Sequence, residues 1–153
     1  MSLILEPMDR SNWRRCLEVC AKPEQMRFVA DFEPVALVIL AKCFVRPQDR
    51  KWLPFAILSE NQIIGIFALA VSASCCELYH FLIDRSVQRR GYGRTALLHI
   101  IEHVRNQYPD CQQLNLTVHE HNTAAQSLYR STGFEETAEI NNGEKVWRLT
   151  LSN

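Results

Sequence analysis

Apolar residues in the middle of the chain form three runs, and the first two are nearly continuous, which is typical of strands that are buried on both faces. The first two runs, residues 52–59 and 62–72, are separated by Glu60 and Asn61, so they predict a hairpin. The third run, residues 77–84, follows a short turn that contains serine and predicts another strand. The centre of the chain therefore predicts consecutive strands of one sheet.

The apolar spacing changes to a helical period after residue 95, and Pro109 ends the predicted helix. One face of this helix consists of Leu97, Leu98, Ile101, Val104 and Tyr108. Alternating apolar residues follow at Leu114, Leu116 and Val118, and this alternation predicts a further strand. The order strand, helix, strand is thus expected between residues 77 and 118.

The last third of the chain predicts a short helix and a hairpin. Asn122 is expected to cap the helix with its side-chain oxygen, and Gly133 is expected to end it. Residues 134–140 and 146–151 are the strands of the hairpin, and an Asn-Asn-Gly turn joins them.

The first fifty residues have a less regular pattern. Residues 3–5 predict a short edge strand that ends at a proline. A helix is predicted from a cap at Ser11 or Asn12 to about residue 21. A second helical stretch is predicted over residues 25–44, which Pro34 must kink or split.

Length, composition and charge limit the class of protein. A chain of 153 residues favours one domain over residues 1–153, and an apolar fraction of 47% is that of a folded protein. Lysine plus arginine and aspartate plus glutamate are equal at 17 each, so the net charge gives no support to nucleic-acid binding. We therefore expect no nucleic-acid partner.

The cysteines and the apolar runs predict neither a metal site nor a membrane segment. None of the six cysteines has zinc-site spacing, so we expect reduced thiols and no metal. The first seven residues are too short and too acidic for a signal peptide, and the run 63–71 is too short to span a bilayer. We expect a soluble cytoplasmic protein without a membrane partner, and a possible homodimer, because two-fold dimers are the commonest oligomers.

The segment 88–94, Gln-Arg-Arg-Gly-Tyr-Gly-Arg, lies between the predicted strand 77–84 and the predicted helix. Its glycines let backbone N–H groups turn toward a ligand and let the ligand approach closely. The helix N-terminus adds unpaired N–H donors and the positive end of its dipole. Segment 88–94, called the cradle below, therefore predicts an anion site, most simply for phosphates, although a plain turn with solvated arginines is the alternative.

Two general phosphate-binding patterns fit the cradle poorly. A P-loop needs Gly-Lys-Ser/Thr after its glycines, and the spacing here differs. Residues 91–96 fit the dinucleotide pattern that ends in alanine, but six residues separate Asp84 from Gly91, and the loop lies past mid-chain. A nucleotide-dependent oxidoreductase therefore stays open as an alternative.

Two separate motifs resemble those of the GNAT superfamily of acyl-CoA-dependent N-acyltransferases. Residues 88–93 match the motif Gln/Arg-x-x-Gly-x-Gly/Ala, which lies between a strand and a helix in that superfamily. Residues 122–134 resemble its later motif, Asn-x-x-Ala-x-x-Leu-Tyr followed by Gly-Phe. The resemblance implies an α/β (α+β) fold with a mixed, mostly antiparallel twisted sheet of about six to seven strands, flanked by about four helices.

The resemblance also implies acetyl-CoA as the co-substrate. The residues expected at its phosphates are Gln88, Arg89, Arg90, Gly91, Tyr92, Gly93, Arg94 and Thr95. Backbone N–H groups would hold the pyrophosphate, and Arg89 or Arg90 would reach the adenosine 3′-phosphate. Main-chain groups of Leu82 and Ile83 are expected at the pantetheine arm, with the Ile83 N–H as a candidate oxyanion donor. Asn122 is a further candidate contact to the arm.

Three residues are candidates for the chemistry of acetyl transfer. Tyr129 matches the tyrosine that protonates the leaving thiolate in many members, although packing beside Leu128 would explain it as well. Glu77 lies at the start of the central strand, where members often have a catalytic carboxylate. His80 is three residues further on and faces the opposite side of the strand, so either residue could be the general base.

The acceptor is expected to be a small-molecule primary amine. Within the superfamily, residues 24–30, 81–84, 118–122 and 142–146 are most similar to the diamine and polyamine (spermidine/spermine) acetyltransferases. Asp31, Glu33 and Glu120 are candidate partners for the ammonium groups of such an acceptor. Phe32 stands where members often have a polar residue, so an amino sugar or a peptide N-terminus is an alternative acceptor. A module that binds acetyl-CoA without turnover is the remaining alternative.

Overall fold

The computed structural model describes residues 2–151, and within them seven strands form a single sheet. The strands are β1 (Leu3–Pro7), β2 (Lys51–Ser59), β3 (Gln62–Val71), β4 (Cys75–Ile83), β5 (Gln113–Val118), β6 (Glu135–Asn141) and β7 (Glu144–Thr150). Their order across the sheet is β1-β2-β3-β4-β5-β7-β6. Strands β4 and β5 run parallel, whereas the other neighbours are antiparallel. The expected mixed, mostly antiparallel sheet is confirmed, and it differs from the doubly wound parallel sheet of dinucleotide-binding enzymes.

Helices cover both faces of this sheet. The described residues contain α1 (Trp13–Cys16), α2 (Met26–Val29), α3 (Val35–Val45), α4 (Tyr92–Gln107) and α5 (Thr123–Ser131). Phe67 and Leu69 of β3 are buried in the cluster that contains α4, whereas Ile66 and Ala68 are buried in the cluster that contains α1 and α3. Alternate side chains of a strand point to opposite faces, so β3 is buried on both sides, as its continuous apolar run predicted.

The N-terminal helices differ most from the prediction. Helix α1 ends at Cys16, well before residue 21. Asn12 is buried and does not cap it, because its Oδ1 accepts from the Asp9 N–H at 2.8 Å and its Nδ2 donates to the Pro7 carbonyl at 3.0 Å. The predicted helix over residues 25–44 is two helices, α2 and α3. Pro34 stands directly before α3, since proline disfavours helical conformation in the residue before it.

Strands β4 and β5 separate after a short pairing, and this separation positions the functional site. They pair only through residues 75–77 of β4 and 113–115 of β5. Strand β4 also carries an irregularity in its pairing with β3 near His80, whose φ of +54° is unusual for a residue other than glycine. The separated strand ends and this bulge leave an open cleft between the two halves of the sheet.

Within residues 2–151, no helix combines the length and apolar character that crossing a bilayer requires.

Candidate functional site

A cavity of about 580 Å³ opens where β4 and β5 separate. Its walls are formed by β4, the cradle, the first turn of α4, the end of β5, α5 and α2. The predicted residues that line it are His80, Leu82, Ile83, Gln88, Arg89, Gly91, Tyr92, Gly93, Arg94, Asn122 and Tyr129. Both sequence motifs therefore meet at one cavity.

Several predicted residues do not line this cavity. They are Asp31, Glu33, Glu77, Arg90, Thr95 and Glu120. The three proposed acceptor carboxylates, Asp31, Glu33 and Glu120, are exposed. Glu33 instead borders a separate cavity that is lined by residues 17–21 and by the first residue of α3. The carboxylate in the cavity wall is that of Glu144, at the start of β7. Glu144 was not predicted as a site residue, because nothing in its local sequence pattern indicates that β7 reaches the cavity.

The cradle presents backbone N–H groups to the cavity. Gly91 adopts φ +85° and immediately precedes α4, a conformation that glycine adopts without strain. The Thr95 N–H donates to the Gly91 carbonyl at 3.2 Å and so makes the first helical hydrogen bond. The N–H groups of Tyr92, Gly93 and Arg94 come before that bond and have no intrahelical acceptor. These three are available to an anion, whereas the N–H of Thr95 is already used within the helix, which disfavours Thr95 as a main-chain contact.

Gln88 supports the cradle from below and is not free to bind phosphate. Its Nε2 donates to the Ile83 carbonyl at 2.9 Å and to Gln25 Oε1 at 3.0 Å. Gln25 Nε2 returns a hydrogen bond to Gln88 Oε1 at 3.0 Å. The Gln88 amide therefore ties the end of β4 to the segment before α2, and its role is to position the cradle.

Three arginines of the cradle carry positive charge. Arg89, Arg90 and Arg94 are exposed, and within residues 2–151 none of them forms an ion pair. Arg89 has a φ of +62°, so the chain turns sharply just before Gly91. Arg89 and Arg94 line the cavity and Arg90 does not, so Arg90 is placed only for a group outside it.

Every second residue near the end of β4 directs its main-chain N–H to the cleft, and the residues between them are hydrogen-bonded to β3. The Asp84 N–H donates to the Ile64 carbonyl at 2.8 Å, and Leu82 pairs with Ile66 in the same register. Because hydrogen-bonded pairs alternate in an antiparallel ladder, the main chain of Leu82 is directed to β3. The N–H groups of Phe81 and Ile83 are directed to the cleft. The structure therefore supports Ile83, disfavours Leu82, and adds Phe81 as a candidate contact.

Tyr129 presents a hydroxyl group to the cavity. It lies on α5, and its ring packs edge-on against Phe134, with 5.6 Å between the centroids. Within the described residues its hydroxyl makes no hydrogen bond. The hydroxyl oxygen is not fully buried, so it is accessible from the cavity. Burial of the residue raises the pKa of the Tyr129 phenol, which therefore stays protonated at neutral pH. It can act as a proton donor.

Both ring nitrogens of His80 are already hydrogen-bonded. Nδ1 lies 2.7 Å from the Val29 carbonyl, and Nε2 lies 2.7 Å from Lys42 Nζ. A carbonyl only accepts, so Nδ1 carries the proton and Nε2 accepts from Lys42. Burial, together with the charge of Lys42, lowers the pKa of His80 to about 4. His80 is therefore a neutral link between α2, α3 and β4, and the geometry disfavours it as a general base.

Glu77 is engaged in an ion pair at the side of the cavity. Its Oε1 is paired with Arg50 Nη1, and its Oε2 accepts from the Tyr79 hydroxyl at 2.8 Å. Glu77 does not line the cavity, whereas Tyr79 does. Direct contact between Glu77 and an acceptor amine is therefore disfavoured. Arg50 and Tyr79 were not predicted as partners of Glu77, since no local sequence pattern connects the three residues.

Asn122 has the structural role that the sequence predicted. Its Oδ1 accepts from the Ala125 N–H at 3.3 Å, which caps the first turn of α5. Asn122 also lines the cavity, so its amide group remains a candidate contact for the pantetheine arm. The cap places α5, and with it Tyr129, against the open side of the cleft.

A model of the acetyltransferase (GNAT) family matches residues 12–134, so the chain belongs to this family. It is 37% identical over 70 residues to a probable spermine N(1)-acetyltransferase of Bacillus subtilis subsp. natto, a match that covers 45% of each chain. It is 30% identical over 95 residues to the ribosomal protein bS18-alanine N-acetyltransferase of Escherichia coli, which is 62% of this chain and 63% of that protein. The matches therefore span less than two thirds of each of these relatives.

Solved structures share the fold of this chain. The E. coli ribosomal-protein-S18-alanine N-acetyltransferase has a TM-score of 0.70 at 20% identity and covers 99% of this chain and 96% of its own. A spermidine N-acetyltransferase of Vibrio cholerae, solved with CoA and spermine, has a TM-score of 0.72 at 19% identity and covers 95% of this chain and 92% of its own. At these identities the likeness establishes the shared fold.

Proposed function

We propose that this protein transfers the acetyl group of acetyl-CoA to a primary amine by direct attack in a ternary complex. One observation carries the proposal: the unpaired N–H groups of the cradle and the accessible hydroxyl of Tyr129 open onto the same cavity. A co-substrate with a diphosphate needs N–H donors such as those of the cradle. A departing thiolate needs a proton donor such as the Tyr129 hydroxyl.

The residues that line the cavity fit two parts of acetyl-CoA, its pyrophosphate and its amide-bearing arm. The helix N-terminus at Gly91, together with Arg89 and Arg94, suits a pyrophosphate through N–H donors and positive charge. The N–H groups of Phe81 and Ile83 suit an amide-bearing arm, because β4 is no longer paired with β5 at that point, although it is still paired with β3 on its other side. The arm would occupy the place of the missing strand.

The chemistry needs one hydrogen-bond donor at the carbonyl oxygen and one acid at the sulfur. The Phe81 or Ile83 N–H would stabilise the negative charge that develops on the oxygen when the amine attacks. Tyr129 would give its proton to the sulfur as the carbon–sulfur bond breaks, and the amine nitrogen would lose a proton in return. Proton transfer of this kind contributes about 10²–10⁴-fold to the rate.

The acceptor side of the cavity favours an amine that carries a single positive charge. A polyamine needs a carboxylate against each of its ammonium groups. Glu144 is the carboxylate in the cavity wall, and the carboxylates that the sequence predicted lie outside it. A monoamine or a peptide N-terminus, which is the kind of acceptor that the 30% identical relative is named for, fits this lining better than spermine does.

Thiol release from acetyl-CoA tests the proposal. Four acceptor classes would be compared at equal concentration: polyamines, monoamines, amino sugars and short peptides with a free N-terminus. We expect thiol release with at least one class, and a lower KM for monoamines or peptides than for spermine. Product mass should increase by one acetyl group on the amine.

Two outcomes would contradict the proposal in different ways. Tight binding of acetyl-CoA in calorimetry, without thiol release across the whole panel, would identify a non-catalytic binding module. Thermal stabilisation by NAD(H) and not by acetyl-CoA would instead favour a nucleotide-dependent enzyme, since only the cognate ligand should raise Tm strongly.

A further inference from the structure

The side of α3 that faces away from the sheet is apolar along its whole length. Its residues are Leu37, Ala41, Phe44 and Val45, called the outer face below, and the three larger ones are 46%, 89% and 70% exposed. Lys42 is the one charged residue in the sequence of α3, and its Nζ is hydrogen-bonded toward β4. A helix that is apolar on every side is normally covered by other protein. The outer face therefore indicates an interface.

The exposed apolar area approaches the size that an interface needs. Phe32 lies in the loop that leads into α3 and is 73% exposed. Phe32 and Phe44 together expose on the order of 300 Å², since a fully covered phenylalanine buries about 150–250 Å². The largest apolar patch on a typical monomer is about 300–600 Å² and often has a function. Two such surfaces with a polar rim come close to the lower limit of about 1,200 Å² for a specific interface, which indicates a weak, concentration-dependent contact.

The order of side chains along the outer face is the same in both directions. Leu37 and Val45 are each four residues from Ala41, so the three lie on one side of the helix. A two-fold axis at Ala41 would bring Leu37 of one copy opposite Val45 of the other. The small Ala41 side chains would meet at the crossing point, where small contact residues let two helices approach closely. The outer face is therefore complementary to itself.

The charges at the two ends of α3 have opposite signs. Glu33 is exposed just before the helix begins, and Arg46 is exposed directly after it ends. Within residues 2–151 neither of them forms an ion pair, although Arg46 Nε donates to the Arg50 carbonyl at 3.3 Å. In an antiparallel pair of α3 helices, Glu33 of each copy would face Arg46 of the other, and the helix dipoles would also be opposed.

We propose that the outer face of α3 binds a second copy of this chain, with the two α3 helices antiparallel about a two-fold axis at Ala41. One surface that meets itself is the property of a two-fold interface. A lipid surface is disfavoured, because a helix that lies on a bilayer has lysine and arginine on its polar face, and the one lysine of α3 points inward. No residue of α3 lines the cavity, so the inference does not depend on the proposed acetyl transfer.

Sedimentation velocity of the full chain, over about 1–500 µM, tests the pairing. We expect the mass to rise from one chain to two with a Kd in the micromolar range. Phe44→Asp should raise the Kd at least about tenfold, because it places a charge in the apolar contact. The control is Ile140→Asp on β6, where the isoleucine is 61% exposed, and it should pair like the wild-type chain.

The melting temperature separates loss of pairing from loss of folding. At low concentration both aspartate variants should keep the wild-type Tm, since Phe44 and Ile140 are exposed in the single chain. At high concentration Tm should rise for the wild-type chain and for Ile140→Asp, and not for Phe44→Asp, because association stabilises the folded state by mass action.

Two variants at the proposed axis test whether the partner is a second copy. Ala41→Glu and Ala41→Lys each bring like charges together in a pair of identical chains, so each should stay a single chain. An equimolar mixture should form a species of two chains, because the charges are then opposite. Glutamate and lysine are good helix formers, so α3 should be retained in both variants.

Reversal of the end charges tests the antiparallel orientation. Glu33→Lys and Arg46→Glu should each raise the Kd about threefold to tenfold, since each contact occurs twice in a symmetric pair. The double variant should return to within about threefold of the wild-type Kd. A double variant that pairs no better than the single variants would overturn the antiparallel orientation.

Three further results would overturn the inference. One is a wild-type chain that stays single over the whole concentration range. Another is a Phe44→Asp variant that pairs as tightly as Ile140→Asp, which would place the contact on a different surface. The third is a mixture of the two Ala41 variants that remains single chains. Each of these leaves acetyl transfer standing, since the mass is measured without substrate.

Discussion

The two ends of the cavity are built in different ways. At the proposed co-substrate end, the candidate binding groups are main-chain N–H groups of the cradle and of Phe81 and Ile83, which are near one another in sequence. At the proposed acceptor end the polar groups are side chains, such as those of Arg50 and Tyr79, which meet only because separate segments of the chain pack together. The first end depends on how the backbone turns, and the second depends on which side chains are present.

This difference predicts opposite responses to substitution. At the co-substrate end, changes that move the backbone should be harmful, while truncation of an exposed side chain should be mild. At the acceptor end, removal of a single polar atom should be harmful although the backbone is unchanged. The following variants test this contrast, in order of decreasing expected effect.

Replacement of Tyr129 by Phe should have the largest effect. The accessible hydroxyl is lost while the ring keeps its packing on Phe134, so we expect kcat to fall about 100-fold or more. The KM for acetyl-CoA should stay within about twofold, because the cradle is untouched. Steady-state thiol release measures both constants, with Tyr108→Phe as the control. A raised KM with unchanged kcat would place Tyr129 at the co-substrate end.

Gly65→Ala should disturb the backbone at the co-substrate end. A Cβ at this position would lie 2.7 Å from the Leu82 carbonyl oxygen and 3.0 Å from Ile83 Cδ1, so β3 and β4 would have to move apart. We expect the free energy of unfolding in urea to fall by about 2–3 kcal/mol, and the KM for acetyl-CoA to rise. Gly143→Ala is the control, since a Cβ there meets no atom within 4 Å and only its φ of +82° is strained, at about 1 kcal/mol. Equal losses in the two variants would contradict the contact at Leu82.

The protein should lose stability as the pH falls from 6.5 to about 4, because His80 is buried in its neutral form. Its pKa of about 4 in the folded chain is below the ordinary value of 6.5, so the unfolded chain takes up the proton first. Stability from this group is complete above pH 6.5 and is lost on acidification. We expect a loss of about 2 kcal/mol after allowance for partial exposure. Urea unfolding at several pH values measures it, and the same slope in His80→Gln would contradict the assignment.

Arg89→Ala should have the smallest effect. Arg89 is exposed and unpaired within the described residues, so its charge acts on the phosphates through solvent. We expect the KM for acetyl-CoA to rise about threefold to fivefold at low salt, and less at high salt, because exposed charges contribute about 1 kcal/mol or less. Arg10→Ala, on an exposed turn away from the cavity, is the control. A loss of a hundredfold would mean that the cradle depends on this side chain rather than on its backbone.

The fold was predictable where spacing in sequence reflects burial directly. Strands β2 and β3 are buried on both faces and read as continuous apolar runs, and α4 shows its buried face in a period of three to four. Helix α3 is apolar on its outer side as well, where Phe44 and Val45 are 89% and 70% exposed. Its sequence therefore shows no difference between an apolar buried face and a polar exposed face. For this reason the helix predicted over residues 25–44 included the break between α2 and α3.

The candidate site was predictable only at its local part. The cradle is seven consecutive residues, so its motif could be read directly. Whether Leu82 or Phe81 directs its N–H to the cleft depends on the register in which β4 pairs with β3. A bulge near His80 shifts that register. Glu77 was recognised as a candidate, but its partner Arg50 lies 27 residues away and no periodicity relates the two. Tertiary packing, not local pattern, determines the acceptor end.

The short pairing of β4 with β5 has a consequence for amide exchange. Because the ladder between them covers only residues 75–77 and 113–115, the Phe81 and Ile83 amide hydrogens lack a strand partner. In the absence of a ligand they should exchange with deuterium faster than the Leu82 amide between them. An arm that hydrogen-bonds to β4 would slow the exchange at 81 and 83 and leave 82 unchanged, so an alternating protection pattern would report occupancy without any turnover.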